Sequence, residues 1–187
     1  AQQDAGGARA AVLAFLRVID DDAPGERAYE GDGLAVAARA LASDPGLAAS
    51  PLGQGVAALI GQDWDRAVAA LRAAPAESSG PVLGRALLGR GAARLDAADV
   101  AGGAADLAEA IRLRPGDADS HLFAGLAADR LGQPDDACAQ VARFRALEWP
   151  RGAFVRGALA RQPPAPLEVA AIALVRTCLL ELPRRSD

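Results

Sequence analysis

The chain has 187 residues and a formal net charge of −4, and 51% of its residues are hydrophobic but only 4% aromatic. This length is sufficient for one domain or a short repeat array without metal or disulfide scaffolding. Its basic residues are all arginine and are spread along the chain, so no basic stripe indicates a nucleic-acid partner. Because Ala, Leu and Val carry the apolar surface, we expect closely packed helices and an all-α fold.

The first residues raise the question of cellular location. The sequence begins at Ala1 and contains no methionine, and AQQDAGG is similar to the start of a chain from which an export signal has been cleaved. A trimmed chain or simple loss of the initiator methionine would leave the same start. We expect a periplasmic or exported bacterial protein, with a cytoplasmic location as the alternative. The absence of lysine and asparagine is typical of a GC-rich genome.

Two helices are predicted before the regular part of the chain, over residues 8–19 and 33–46. The loop between them is rich in Asp, Glu, Gly and Pro. Its carboxylates do not follow the spacing of a calcium-binding loop, so we interpret it as a solvated connection. Residues 1–47 are therefore expected to form a degenerate helical hairpin.

The next part of the chain contains three copies of one pattern. Gly55, Gly91 and Gly125 fall in register at spacings of 36 and 34 residues. A small residue and then an aliphatic residue recur in the same register. These are Ala67, Gly103 and Ala137, followed by Leu71, Leu107 and Val141. The pattern predicts helix-turn-helix units in which the small residues let the two helices approach closely.

The turns between the paired helices have residues suited to their positions. Gly132 can adopt a positive φ where the first helix of the third copy ends, and Pro134 suits the first turn of the next helix. Asp63 and Asp99 can accept hydrogen bonds from the first amides of the second helices in the other copies. In the first copy, Gln62 holds the turn position.

These residues resemble the tetratricopeptide repeat family. The third copy, HLFAGLAADRLGQPDDACAQV, keeps the two small residues and the turn glycine, and the second copy ends in AEAIRLRPGD, as the family usually does. Gly103 replaces the usual alanine, and Phe144 stands where a small residue is expected. The resemblance covers residues 48–150. It implies an α-solenoid with a right-handed superhelix and atypical terminal capping helices.

Residues 151–187 are expected to cap the array in the same structural domain. RGAFVRGALARQ predicts a short helix, PPAP breaks it, and residues 167–182 predict a closing helix. Charged residues interrupt this apolar segment, so it is not expected to span a membrane. Cys138 and Cys178 could form a disulfide in an oxidising compartment or remain buried thiols.

The sequence nominates no catalytic, cofactor or metal site. His121 is the only histidine, which removes most catalytic triads and zinc sites, and its place at the start of a repeat helix indicates packing. Without lysine there is no phosphate-loop motif or Schiff base. GQGVAA, at residues 53–58, is explained by the repeat register rather than by a dinucleotide site. We therefore expect a protein that is not an enzyme and has no cofactor.

The resemblance implies that the first helices of the repeats line a concave surface that holds a peptide or partner helix. The register assigns two apolar rows and a charged rim to this surface, with Leu52, Leu88 and Leu122 in one row and Val56, Ala92 and Leu126 in the other. The partner-binding residues would be Leu52, Val56, Leu88, Leu122 and Leu126, with Arg85, Asp119, Asp129 and Arg130. These apolar residues could instead be buried by the protein's own terminal helix. A shift of the repeat register by one residue would place them in the hydrophobic core.

The expected function is that of a non-enzymatic adaptor or scaffold that holds a protein partner in a bacterial envelope assembly. The alternative is an accessory chaperone or maturation factor for a neighbouring enzyme or an exported client, which would bind transiently. The apolar closing helix could also dock into a second copy, which leaves a homodimer open. The sequence does not identify the partner.

Overall fold

The computed structural model describes residues 37–148 and 166–181, in which every regular element is a helix. In chain order the helices are α1 (residues 37–43), α2 (Pro45–Ala49), α3 (Pro51–Ile60), α4 (Trp64–Ala73), α5 (Ala76–Asp96), α6 (Val100–Leu113), α7 (Ala118–Arg130), α8 (Pro134–Glu148) and α9 (Pro166–Glu181). The predicted all-α class is confirmed for these residues. The chain divides into two compact units, Ala1–Gly89 and Arg90–Asp187.

Only some of the helices predicted before and after the repeats lie within the described residues. α9 confirms the closing helix expected at residues 167–182, and it begins and ends one residue earlier. The helix expected at residues 33–46 is present over residues 37–43, and the chain then starts α2. The helix predicted at residues 8–19, the acidic loop after it and the short helix after Pro150 lie outside the described residues. No described helix combines the length and hydropathy needed to cross a bilayer.

Short polar side chains start most of these helices by accepting a hydrogen bond from a backbone amide of the first turn. Asp63 accepts from the amide of Arg66 at 3.3 Å, and Asp99 accepts from that of Gly102 at 3.0 Å. Both caps were predicted. Equivalent caps at α2, α3 and α7 are formed by Asp44, Ser50 and Asp117.

Three helix pairs, α3–α4, α5–α6 and α7–α8, form hairpins, and the turns within them share one backbone geometry. Gln62, Ala98 and Gly132 have φ values of 57°, 63° and 73°. In each turn the amide of the next residue donates to a carbonyl five residues earlier, at 2.9, 2.8 and 2.9 Å respectively. This is the Schellman ending of a helix, which favours glycine because an L side chain is strained there. The predicted turn positions of Gly132 and Gln62 are confirmed.

The three hairpins also share the close helix contact that the glycines predicted. A Cβ atom on Gly55 would lie 2.5 Å from Cγ of Leu71, and one on Gly91 would lie 2.8 Å from Cγ of Leu107. On Gly125 it would lie 3.1 Å from the carbonyl oxygen of Ala137. Side chains at these positions would therefore force the paired helices apart. This confirms that α3–α4, α5–α6 and α7–α8 are copies of one helix-turn-helix unit.

In the first of the two compact units, a glycine lies directly against the tryptophan ring. A Cβ atom on Gly89 would lie 2.6 Å from the Trp64 ring, so α4 and α5 pack closely at this point. Val68 and Leu71 of α4 and Leu87 of α5 are fully buried in this unit. Small and branched side chains therefore form its core, as the composition predicted.

Candidate functional site

The structure places two of the predicted partner-binding leucines beneath α9. Leu122 is 0% exposed and lies in a cluster with Phe144 and Ala171. Leu126 is 2% exposed and lies in a neighbouring cluster with Leu174 and Cys178. Since Ala171, Leu174 and Cys178 belong to α9, the protein's own helix covers this part of the expected row.

Leu52 and Val56, which the register assigned to the same apolar surface, are buried in the first unit. Burial of these two residues, together with Leu122 and Leu126, corrects the expectation of an exposed apolar row at these positions. It favours burial by the terminal helix at Leu122 and Leu126, and a core position for Leu52 and Val56. The register missed this because glycine spacing fixes which helices pair but does not show which further helix covers a face.

The remaining predicted site residues are at least partly accessible. Arg85 and Leu88 are half-buried on α5, Asp119 is half-buried on α7, and Asp129 is exposed. Arg130 is exposed, but its Nη1 donates to the carbonyl oxygen of Leu95 at 2.6 Å. A cation at the C-terminal end of α5 is electrostatically favourable. Arg130 therefore has a structural role whatever else it binds.

A buried ionic cluster inside the α5–α6 hairpin was not predicted. Asp106 of α6, whose side chain is 5% exposed, accepts from Nε and Nη2 of Arg90 at 2.8 and 2.7 Å. It also accepts from Nη1 of Arg94 at 2.8 Å. The Arg90 contact is the two-pronged geometry that makes an arginine–carboxylate pair strong. The cluster therefore braces two helices of one repeat.

The sequence does contain a signal for this cluster. Arg90 and Arg94 are four residues apart, so they share one face of a helix, and Asp106 follows the closely packed Gly103 by three residues. Three charged residues thus lie beside the positions where the two helices approach closely. They do not form a reactive site, because both oxygens of the carboxylate are already engaged by guanidinium groups.

His121 is a packed residue, as predicted. Its Nδ1 lies 2.8 Å from Oε1 of Gln140, and its Nε2 lies 3.1 Å from the carbonyl oxygen of Pro115. The ring is buried and has a polar partner on each side. Gln140 occupies in the third hairpin the position that Asp106 occupies in the second. In both the second and the third hairpin, the residue at this position of the second helix therefore contacts a polar side chain of the first helix.

Buried charge also fixes the start of α7. The Asp117 carboxylate caps the helix by accepting from the amide and the hydroxyl of Ser120. Nη1 of Arg114 lies 3.6 Å from Oδ1 of Asp117, and both side chains are buried. Within the described residues, no group of three or more His, Cys, Asp or Glu side chains could hold a metal ion.

Cys138 of α8 and Cys178 of α9 form a disulfide, with their Cα atoms 5.2 Å apart. The sequence left this pairing open. Cys178 lies in the buried cluster that contains Leu126 and Leu174, whereas Cys138 packs against the edge of that cluster and is half-buried. The bond therefore attaches α9 to the hairpin that it covers.

No protein-family model matches the sequence, and no curated protein matches it significantly. Among solved structures, the chain is similar to the crystal structure of MamA, with 19% identity and a TM-score of 0.41. The alignment covers 86% of this chain and 95% of that chain. A likeness this weak does not establish a fold or a function, so the repeat architecture rests on the contacts within this chain.

Proposed function

We propose that this chain is a non-enzymatic scaffold that binds a protein partner or peptide segment in a bacterial envelope assembly. The observation that carries the proposal is the repeated hairpin, with the same glycine contact and the same turn in α3–α4, α5–α6 and α7–α8. Stacked units of this kind provide extended helical surfaces for protein partners. The resemblance to tetratricopeptide repeats implies the same use.

The binding surface we assign in the first unit is the accessible side of α5 at Arg85 and Leu88. Leu88 is half-buried, so it offers apolar area that a partner can cover. Arg85 lies three residues before it and therefore on the same side of the helix. An accessible leucine on this side of the helix suits a partner segment that presents an apolar residue.

The disulfide supports location in the envelope. Structural disulfides persist in oxidising compartments such as the bacterial periplasm and are rare in the reducing cytosol. Both cysteines of this chain are engaged in one bond. We therefore place the protein in the periplasm or outside the cell.

The test is capture of a partner from periplasmic extract by the wild-type chain and by Leu88→Glu. The variant places a charge on the proposed contact, so we expect recovery of the stoichiometric partner to fall at least 10-fold while the helical circular dichroism is unchanged. A tenfold fall corresponds to about 1.4 kcal/mol of binding free energy.

Ala69→Glu is the matched control, because Ala69 is exposed on α4 and lies in the same unit. It should retain full capture. Absence of any stoichiometric partner from the wild-type capture would contradict the scaffold function, and equal loss in both variants would contradict the assigned surface.

A further inference from the structure

The disulfide between α8 and α9 provides a way to control whether the surface beneath α9 is covered. We propose that the Cys138–Cys178 disulfide is a redox-controlled latch that holds α9 over an apolar face of the α7–α8 hairpin. Reduction of the bond by a dithiol lets α9 leave this face. The face consists of Leu122 and Leu126 of α7 with Val141 and Phe144 of α8.

Apolar side chains and one covalent bond together hold α9 against the α7–α8 hairpin. Among its described side chains, Glu168, Ala171, Leu174 and Cys178 are buried, and Leu167, Ala170, Ile172 and Val175 are partly buried against the two apolar clusters. Val169 is 51% exposed. The disulfide spans 40 residues and adds loop-closure free energy to these apolar contacts, so its loss weakens the attachment of α9.

The α7–α8 hairpin has its own internal contacts that do not involve α9. The backbone of Gly125 packs closely against α8, His121 of α7 lies within hydrogen-bonding distance of Gln140 of α8, and the turn at Gly132 is hydrogen-bonded. Loss of α9 therefore removes a cover without removing the contacts that define the hairpin. Opening of the latch is a local event rather than global unfolding.

The occupant of the face in the oxidised protein is α9 itself, which contributes Ala171, Leu174 and Cys178. These residues are spaced three and then four apart, so they form one stripe along the helix. The apolar face thus fits an amphipathic helix with small and branched residues at this spacing. Once α9 leaves, the face is exposed to solvent and open to another helix of the same pattern.

The opening reaction needs a dithiol reductant, such as a thiol oxidoreductase with two neighbouring cysteines. One thiolate of the reductant attacks Sγ of Cys138, the more accessible of the two cysteines, and Cys178 leaves as a thiolate that takes up a proton. The second thiolate of the reductant then attacks the mixed disulfide and releases Cys138. The reductant ends as a disulfide, and this chain gains two electrons and two protons, which convert its disulfide to two thiols.

The test is amide hydrogen exchange of the full chain, oxidised, reduced with dithiothreitol, and as the double variant Cys138→Ser with Cys178→Ser. We expect exchange within residues 166–181 to accelerate about 100- to 1000-fold in the reduced chain and in the double variant, from the loop-closure entropy of a bond that spans 40 residues. The amides of α7 and α8 should retain most of their protection. Thr177→Ser, an exposed neighbour on α9, should exchange as the oxidised wild type does.

Two results would overturn the latch. In one, α9 is equally protected with and without the bond, which would show that apolar contacts alone hold it. In the other, α7 and α8 lose protection together with α9, which would make the bond a support of the whole hairpin. Because exchange is measured without a partner, either failure leaves the scaffold proposal standing, and failure of partner capture leaves the latch standing.

Discussion

Alanine in place of Asp106 is expected to lower the free energy of unfolding by about 3–5 kcal/mol. The carboxylate accepts three hydrogen bonds from Arg90 and Arg94 across the α5–α6 contact. Its removal leaves the guanidinium of Arg90, which is largely buried, without this counter-ion. A charge held away from water without its partner is costly, so the loss should greatly exceed that at an exposed ion pair.

Equilibrium urea denaturation followed by circular dichroism measures this effect. Asp96→Ala is the matched control, because Asp96 is exposed at the end of the same α5 helix, and its effect should stay within about 0.5 kcal/mol. If Asp106→Ala unfolds at the same urea concentration as the control, the ionic cluster does not brace the hairpin.

Leucine in place of Gly91 is expected to lower the free energy of unfolding by about 3 kcal/mol. Even a Cβ atom there would lie 2.8 Å from Cγ of Leu107 and 3.2 Å from the carbonyl oxygen of Gly103. The second contact is with backbone, which cannot move aside without displacing α6. The added side chain must therefore separate the helices, and it also strains the contact of the adjacent Arg90 with Asp106.

Ala93→Leu is the control for added bulk on the same helix, because Ala93 is exposed. Its free energy of unfolding should stay within about 0.5 kcal/mol of the wild-type value. Thermal and urea unfolding of both variants are the measurements. A Gly91→Leu chain as stable as Ala93→Leu would show that the two helices are further apart than the structure has them.

The repeat can be predicted from the sequence because particular backbone positions require particular residue types. Gly132 marks a turn that needs a positive φ, and Asp63 and Asp99 mark helix starts whose amides need acceptors. The glycines at the helix contacts recur because any side chain there would collide with the paired helix. The closing helix at α9 was also readable, because proline precedes a long apolar segment.

Other features could not be read in the same way. Ala98 adopts a positive φ that alanine does not favour, because the pairing of α5 with α6 imposes the turn and overrides local preference. The covered state of Leu122 and Leu126 depends on where α9 packs, which is a tertiary contact about 50 residues away in sequence. Phe144 stands where the repeat pattern predicts a small residue for the same reason, since it packs in the cluster that α9 completes.

The ionic cluster at Asp106 could be predicted from the sequence only in part. Its three charged residues could have been placed on facing helix sides from spacing alone, but spacing does not show that the carboxylate is buried. The equivalent residue in the third hairpin is Gln140, which lies beside His121 and not beside an arginine. A repeat therefore fixes where a bridge between the helices forms, while the individual sequence fixes its chemistry.

The close glycine contact within each hairpin is tested most directly by the unfolding free energies of Gly55→Ala, Gly91→Ala, Gly125→Ala and Gly80→Ala. Gly80 is the reference, because a Cβ there meets nothing within 4 Å, and alanine should stabilise α5 by about 1 kcal/mol. Gly55→Ala and Gly91→Ala should instead lose about 1–3 kcal/mol, and Gly125→Ala should lie between these and the reference. If all three gained stability as Gly80→Ala does, the helices would not meet at these glycines, and the repeat architecture would be contradicted.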